Sequence, residues 1–177
     1  QPGVLGAWYL RVKLADGKVL ATALVQQGGL SAQWRGVTGL EGGLVVAVGS
    51  AYDVSAAGNG QEAWVTLLDS DGKPLWAKLA GGAGNDVLHG VVLAGDVVVA
   101  AGVDEVPGTG LQGMLMRVGL DSGELVGATA IAKPKSQAMF HALGALPGGD
   151  LLLAGATDAG QPATTPPAWQ GWLVRVK

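Results

Sequence analysis

The chain has 177 residues, of which 49% are apolar and only 14% charged, with 31 glycines and a formal net charge of −3. That is enough apolar material for one domain with a substantial core and too much for a disordered chain. The basic residues are scattered rather than gathered into a stripe, which argues against nucleic acid as a partner; no apolar run has the length of a membrane span; and the absence of cysteine excludes disulfides, thiolate metal sites and cysteine nucleophiles.

The first ten residues, QPGVLGAWYL, lack a basic segment followed by a long apolar run, so no signal peptide is predicted; a processed exported chain would read the same way. Residues 8–14 (WYLRVKL) then alternate with a period of two, the mark of a strand with one buried face. The pattern puts Trp8, Leu10, Val12 and Leu14 on the core side. A turn ends at Gly17, where positive φ is expected, and KVLATALV (18–25) returns. A second kind of hairpin follows, WRGVTGL (34–40) and LVVAVGS (44–50), turning at Gly42 and Gly43. The first kind recurs as WVTLLDSDG (64–72) with KPLWAKLA (73–80). The second recurs as LHGVVLA (88–94) with VVVAAGV (97–103), turning at Gly95 and Asp96. MLMRVGLDSG (114–123) with ELVGATAI (124–131) repeats the first kind again, and FHALGAL (140–146) with LLLAGAT (151–157) the second. The chain closes on WLVRVK (172–177), which matches the first six residues of the 8–17 unit.

Gly49, Gly102 and Gly155 fall 53 residues apart each time. No window carries a helical stripe. The expected fold is therefore all-β, with four short antiparallel strands in each unit of about 50 residues, the pattern of a β-propeller blade.

The stretch AWVTLLDSDGKPLWAKLAGGAGND, followed by VVVAAGVD, resembles the bacterial β-propeller repeats of SBBP type. Its DSDGKPLWAKLAGG portion is similar to the tryptophan motif of pyrroloquinoline-quinone-type propeller repeats. The second tryptophan of that motif is present only as Trp76; Ala21 and Gly127 stand at the equivalent positions. The resemblance implies that hairpins ending AVGS or AAGV supply inner strands and Trp-led hairpins outer ones. On that basis the chain is a single propeller-like domain, 1–177, of about three blades: an outer hairpin 7–25, a blade 33–80, a blade 86–132 and a partial blade 138–177. Three blades are too few for an ordinary closed ring. The fold is then incomplete or is completed by other chains. The hairpin 7–25 is expected to pair with the inner hairpin 138–157 of the same chain or of a neighbour, pairing between chains or with further sequence being favoured. The final strand, Gly171, Trp172, Leu173, Val174, Arg175, Val176 and Lys177, is expected to be an open assembly edge.

Several residues recur at one repeat position. Arg35, His89 and His141 open equivalent strands; if those are the inner strands, the three side chains face a central channel and suit an anion or a carboxylate. The alternative is that they cap the start of a strand. The two histidines have no patterned third ligand, so zinc is not expected. Asp53, Asp104 and Asp158 follow the return strands and lead into loops of variable length, where specificity commonly lies. They suit Ca²⁺ or, alternatively, backbone amides that fix the turn. The run GGAGND (81–86) lacks the strand–loop–helix setting of a phosphate loop. Arg11, Arg117 and Arg175 are expected to face solvent. With Trp8, Trp64 and Trp172 assigned to the core, Trp34, Trp76 and Trp169 remain for carbohydrate stacking, Trp169 foremost.

No catalytic triad has a supporting motif. The leading expectation is a non-enzymatic module, without cofactor, used for structural assembly through self-association or another protein chain. The resemblance implies a bacterial, extracellular, cell-surface or periplasmic setting. The alternatives are a propeller that binds a carbohydrate, ion or small anion, and a fragment of a propeller enzyme.

Overall fold

The structure, a computed structural model, describes residues 4–54, 60–131, 136–158 and 168–177. Among the described residues the alternating segments become thirteen strands, with one 3-10 turn at Glu41–Gly43. β1 (Ala7–Val12) and β2 (Val19–Val25) form a two-stranded sheet. β3 (Ser31–Gly39), β4 (Val45–Tyr52), β5 (Glu62–Leu68) and β6 (Pro74–Ala80) form a four-stranded sheet. β7 (Val87–Ala94), β8 (Val97–Val106), β9 (Gly110–Gly119) and β10 (Leu125–Ile131) form another. β11 (Ala138–Ala145), β12 (Leu151–Thr157) and β13 (Gln170–Val176) form a sheet of three. The fold is all-β, and each strand pairs antiparallel with its neighbour in sequence. The loops expected to vary at 54–62 and 159–170 lie largely outside the described residues.

The sheets stack in chain order, and each interface is an apolar core. Ala7, Tyr9 and Val25 of the first sheet meet Ala32, Ala51, Trp64 and Leu68 of the second. Val46, Val48, Val65 and Leu67 of the second meet Leu88, Val98, Met114, Met116 and Val118 of the third. Val99, Ala101 and Leu115 of the third meet Phe140, Leu151, Leu153 and Trp172 of the fourth. The central strands are therefore covered on both faces, and every residue of β5 after Glu62 is buried. This is why the alternation visible at residues 8–14 fades in WVTLL and VVVAA.

Two devices hold the layers in register. Gly17, Gly72 and Gly123 take φ of 70, 84 and 65°, as the turn requires. Two of these turns also receive an aromatic ring from the preceding sheet. The Tyr9 ring packs on Gly72 and donates its hydroxyl to Ser70 O at 3.2 Å. The Trp76 ring packs on Gly123 and donates Nε1–H to Leu120 O at 2.7 Å.

The second device explains the 53-residue glycine period. Each of β3, β7 and β11 carries a bulge, between Trp34 and Gly36, between Leu88 and Gly90, and between Phe140 and Ala142. Gly49, Gly102 and Gly155 face those bulges across the ladder. A Cβ there would run into the carbonyl oxygen of Gln33, Val87 or Met139.

Several expectations need correction. Trp8 is not core: its side chain is 66% exposed, while Tyr9 is buried. The row Trp8–Leu10–Val12 corresponds to the row of β5, β9 and β13 that packs on the preceding sheet, and no sheet precedes β1 among the described residues. Arg11 is half-buried rather than solvent-facing, with its Nε shielded and unpartnered. Within the chain the hairpin 7–25 does not pair with 138–157; it pairs with itself and packs on the second sheet. Leu5 N–H donates to Ser31 Oγ and Ala32 N–H to Leu5 O. Asp104 lies within β8, not on a loop, because β8 and β9 continue pairing to Val106 and Gly110. β13 is an edge strand, paired on one side with β12.

Candidate functional site

The three bulges bring Arg35, His89 and His141 together. A bulge residue has no partner across the ladder and its side chain is re-aimed away from the regular pleat. β7 lies against both β3 and β11, and small residues next to the bulges set how closely. A Cβ on Gly36 would strike the His89 carbonyl, and one on Gly90 would come 2.6 Å from Leu143 N. The bulges are thus held nearly backbone to backbone. The His89 and His141 rings meet edge to face, with centroids 5.4 Å apart. Arg35 is close enough on the other side to act electrostatically on His89.

The environment has one sign. Burial first, then the Arg35 charge and then His141, push the His89 pKa down from its ordinary value to about 4. No carboxylate acts on His89. Among the described residues, none of the three side chains has a hydrogen-bond or ion-pair partner. His89 is half-buried, while Arg35 and His141 are exposed. The sequence put these residues at one repeat position; the structure adds that the position is a bulge and that the bulges adjoin.

The three aspartates expected at one loop position have different surroundings. Asp158 Oδ1 accepts from Gln137 N at 2.5 Å, which fixes the entry to β11. Asp104 lies beside Asp86, a residue the repeat reading passed over. Asp86 is buried, and its Oδ2 accepts from Gly82 N at 2.6 Å. The GGAGND run is therefore a carboxylate-capped turn. Burial, followed in part by the Asp104 carboxyl, raises the Asp86 pKa to about 6. The neighbouring Asn85 ties the loops together: Gln61 N–H donates to its Oδ1, and its amide groups donate to Glu105 Oε2. Asp53 ends its strand just after Tyr52 and is engaged in its own contact. Among the described residues, no three His, Cys, Asp or Glu side chains are placed to share a metal ion.

The tryptophans separate by burial. Trp34 stacks on Trp64 at 5.4 Å and 13°, and Trp76 is spent on the next sheet. Trp169 is 39% exposed, just before β13. Trp8 and Trp34 line a groove of about 440 Å³ with Tyr9, Arg11, Arg35 and Val37, between β1 and the β3–β4 face. Along the last strand, Arg175 bonds Asp150 at 2.5–2.6 Å; Trp172, Val174 and Val176 lie inward, Gly171, Leu173 and Lys177 outward. Among the described residues, no helix is long and apolar enough to cross a membrane. The chain matches no family model and no curated protein.

Proposed function

We propose that this protein is a non-enzymatic, β-propeller-like module for structural assembly or protein–protein interaction, exported or carried on a bacterial surface. In this reading the second and third sheets are whole blades, and the first and fourth are partial ones completed by another chain or by further sequence. The observation that carries it is the bareness of both ends of the stack. Trp8, Leu10 and Val12 on β1 are 66, 44 and 44% exposed, and Leu173 on β13 is 65% exposed. Their counterparts at interior positions, Trp64 and Leu68 on one face and Val65 and Leu115 on the other, are buried. The apolar row on β1 is the kind of exposed patch that marks an association site, and Leu173 is the apolar point of the opposite face. A head-to-tail contact between them would be heterologous and would close into a ring at the right rotation.

The test is light scattering on the chain across a concentration series. A species of two or more chains is expected. Trp8→Glu and Leu173→Lys, both at exposed positions, should return it to a monomer with unchanged far-ultraviolet dichroism. A monomer at every concentration would overturn self-association.

A further inference from the structure

We infer that Arg35, His89 and His141 form a binding site for a carboxylate group, one donor coming from the bulge of each of three successive sheets. The site goes beyond the assembly reading and does not depend on it.

Three observations converge. Every group in the cluster is a donor, and none has an acceptor among the described residues. Their spacing is built in rather than incidental, because the Gly36 and Gly90 contacts lock β3, β7 and β11 together beside the bulges. The charged or titratable groups that face His89 are Arg35 from β3 and His141 from β11, with no acid to offset them. A cation is repelled by such a cluster. An anion supplies what it lacks.

The charge and shape select the anion. Arg35 contributes one fixed positive charge on a planar fork, which two carboxylate oxygens match in a bidentate pair. The imidazoles add N–H donors for the remaining lone pairs without adding fixed charge. A monoanion balances one guanidinium, whereas a dianionic phosphate would leave a charge over. Half-burial of His89 strengthens these bonds relative to a fully exposed pair.

The binding is linked to the proton on His89. A bound carboxylate gives the imidazolium the counter-charge it lacks, so it must raise the His89 titration midpoint. By reciprocity the protonated form must bind carboxylate more tightly, about tenfold for each unit of rise.

Nuclear magnetic resonance of the histidine ring protons tests this. Each pH titration is run with sodium acetate, and again with sodium chloride and sodium phosphate at equal ionic strength. Acetate is expected to raise the His89 midpoint by about one unit or more and to shift the His141 ring signals. Arg35→Gln should abolish the rise, Arg35→Lys should leave part of it, and Arg117→Gln, at an exposed position of the largely buried β9, should leave it whole. A peptide with a free C-terminal carboxylate, compared with its amidated form, distinguishes a chain-borne ligand from a free acid. A larger rise with the free-carboxylate peptide than with acetate supports the site and assigns it to a chain end. Equal rises in chloride and acetate, a rise in phosphate alone, or a rise that survives Arg35→Gln each overturn the proposal. Arg35 is exposed, so its variants are expected to keep the native dichroism.

Discussion

β1 and β5 carry equivalent tryptophans near their starts and each pairs with the strand that follows it, yet Trp64 is fully buried and Trp8 is 66% exposed. β5 lies between β4 and β6 and β1 beside β2 alone, but neighbours in a ladder do not cover a sheet's faces. Burial of the ring is set by what lies on the tryptophan side. Trp64 has Tyr9 and the rest of the first sheet against it; Trp8 has a groove and solvent. In this stack, burial is a property of a layer's position, and the repeat sequence only makes burial available.

Substitution should expose that difference most sharply at the two tryptophans. Trp64→Ala is expected to cost about 3–5 kcal/mol, since it empties a filled interface. Trp8→Ala should cost under about 1 kcal/mol in the isolated chain, because little of the ring is covered. Urea unfolding of both variants decides it: equal losses would mean that Trp8 has a partner face in solution. The same contrast exists for glycines. Gly102→Ala puts a methyl into the Val87 carbonyl and should cost at least about 1–3 kcal/mol. Gly144→Ala, on the outer face of the last sheet, meets nothing within 4 Å and should be near neutral. A neutral Gly102→Ala in thermal unfolding would remove the bulge explanation of the repeat.

Two shifted titrations, at the half-buried His89 and the buried Asp86, give opposite pH slopes. The folded state keeps His89 neutral down to about pH 4, while an unfolded histidine takes its proton near 6.5. Stability should therefore fall as pH drops from about 6.5 towards 4 on this account. Asp86 works the other way. Its proton is held up to about pH 6, above the unfolded value of 3.8, so its contribution is full below 3.8 and is lost as pH rises through 6. His89→Gln should remove the first slope and Asp86→Asn the second, read from melting temperature against pH. If neither variant changes the profile, both shifts are absent. The smallest effect is expected at the exposed Arg175–Asp150 pair, where Arg175→Gln should change stability by under about 1 kcal/mol.

The hairpins, the order of strands and the turn glycines were open to reading because each depends on a few consecutive residues. A positive-φ turn needs its glycine wherever it occurs, so Gly17, Gly72 and Gly123 announced themselves. The common position of Arg35, His89 and His141 could be read for the same reason. What could not be read was whatever depends on a partner far along the chain. Trp8 and Trp64 share a local pattern, and only the stacking tells them apart. The extension of β8 through Asp104 depends on pairing with Gln112 across a tight turn that resembles a loop. Asp86 drew no notice as a carboxyl because its neighbour, Asp104, reaches it only through the folded sheet. The one hint was an acidic residue at the end of a glycine run.

The nesting of each sheet on the next also bears on how the molecule comes apart. All ladders join consecutive strands, and each core joins adjacent sheets, as in a linear array. Stability in such an array belongs to the interfaces. The middle sheets own two apiece and the outer ones a single one. Hydrogen exchange should accordingly run as a gradient, slowest in β5 and β9 and fastest in β2 and β13, with the ends fraying while the centre still holds.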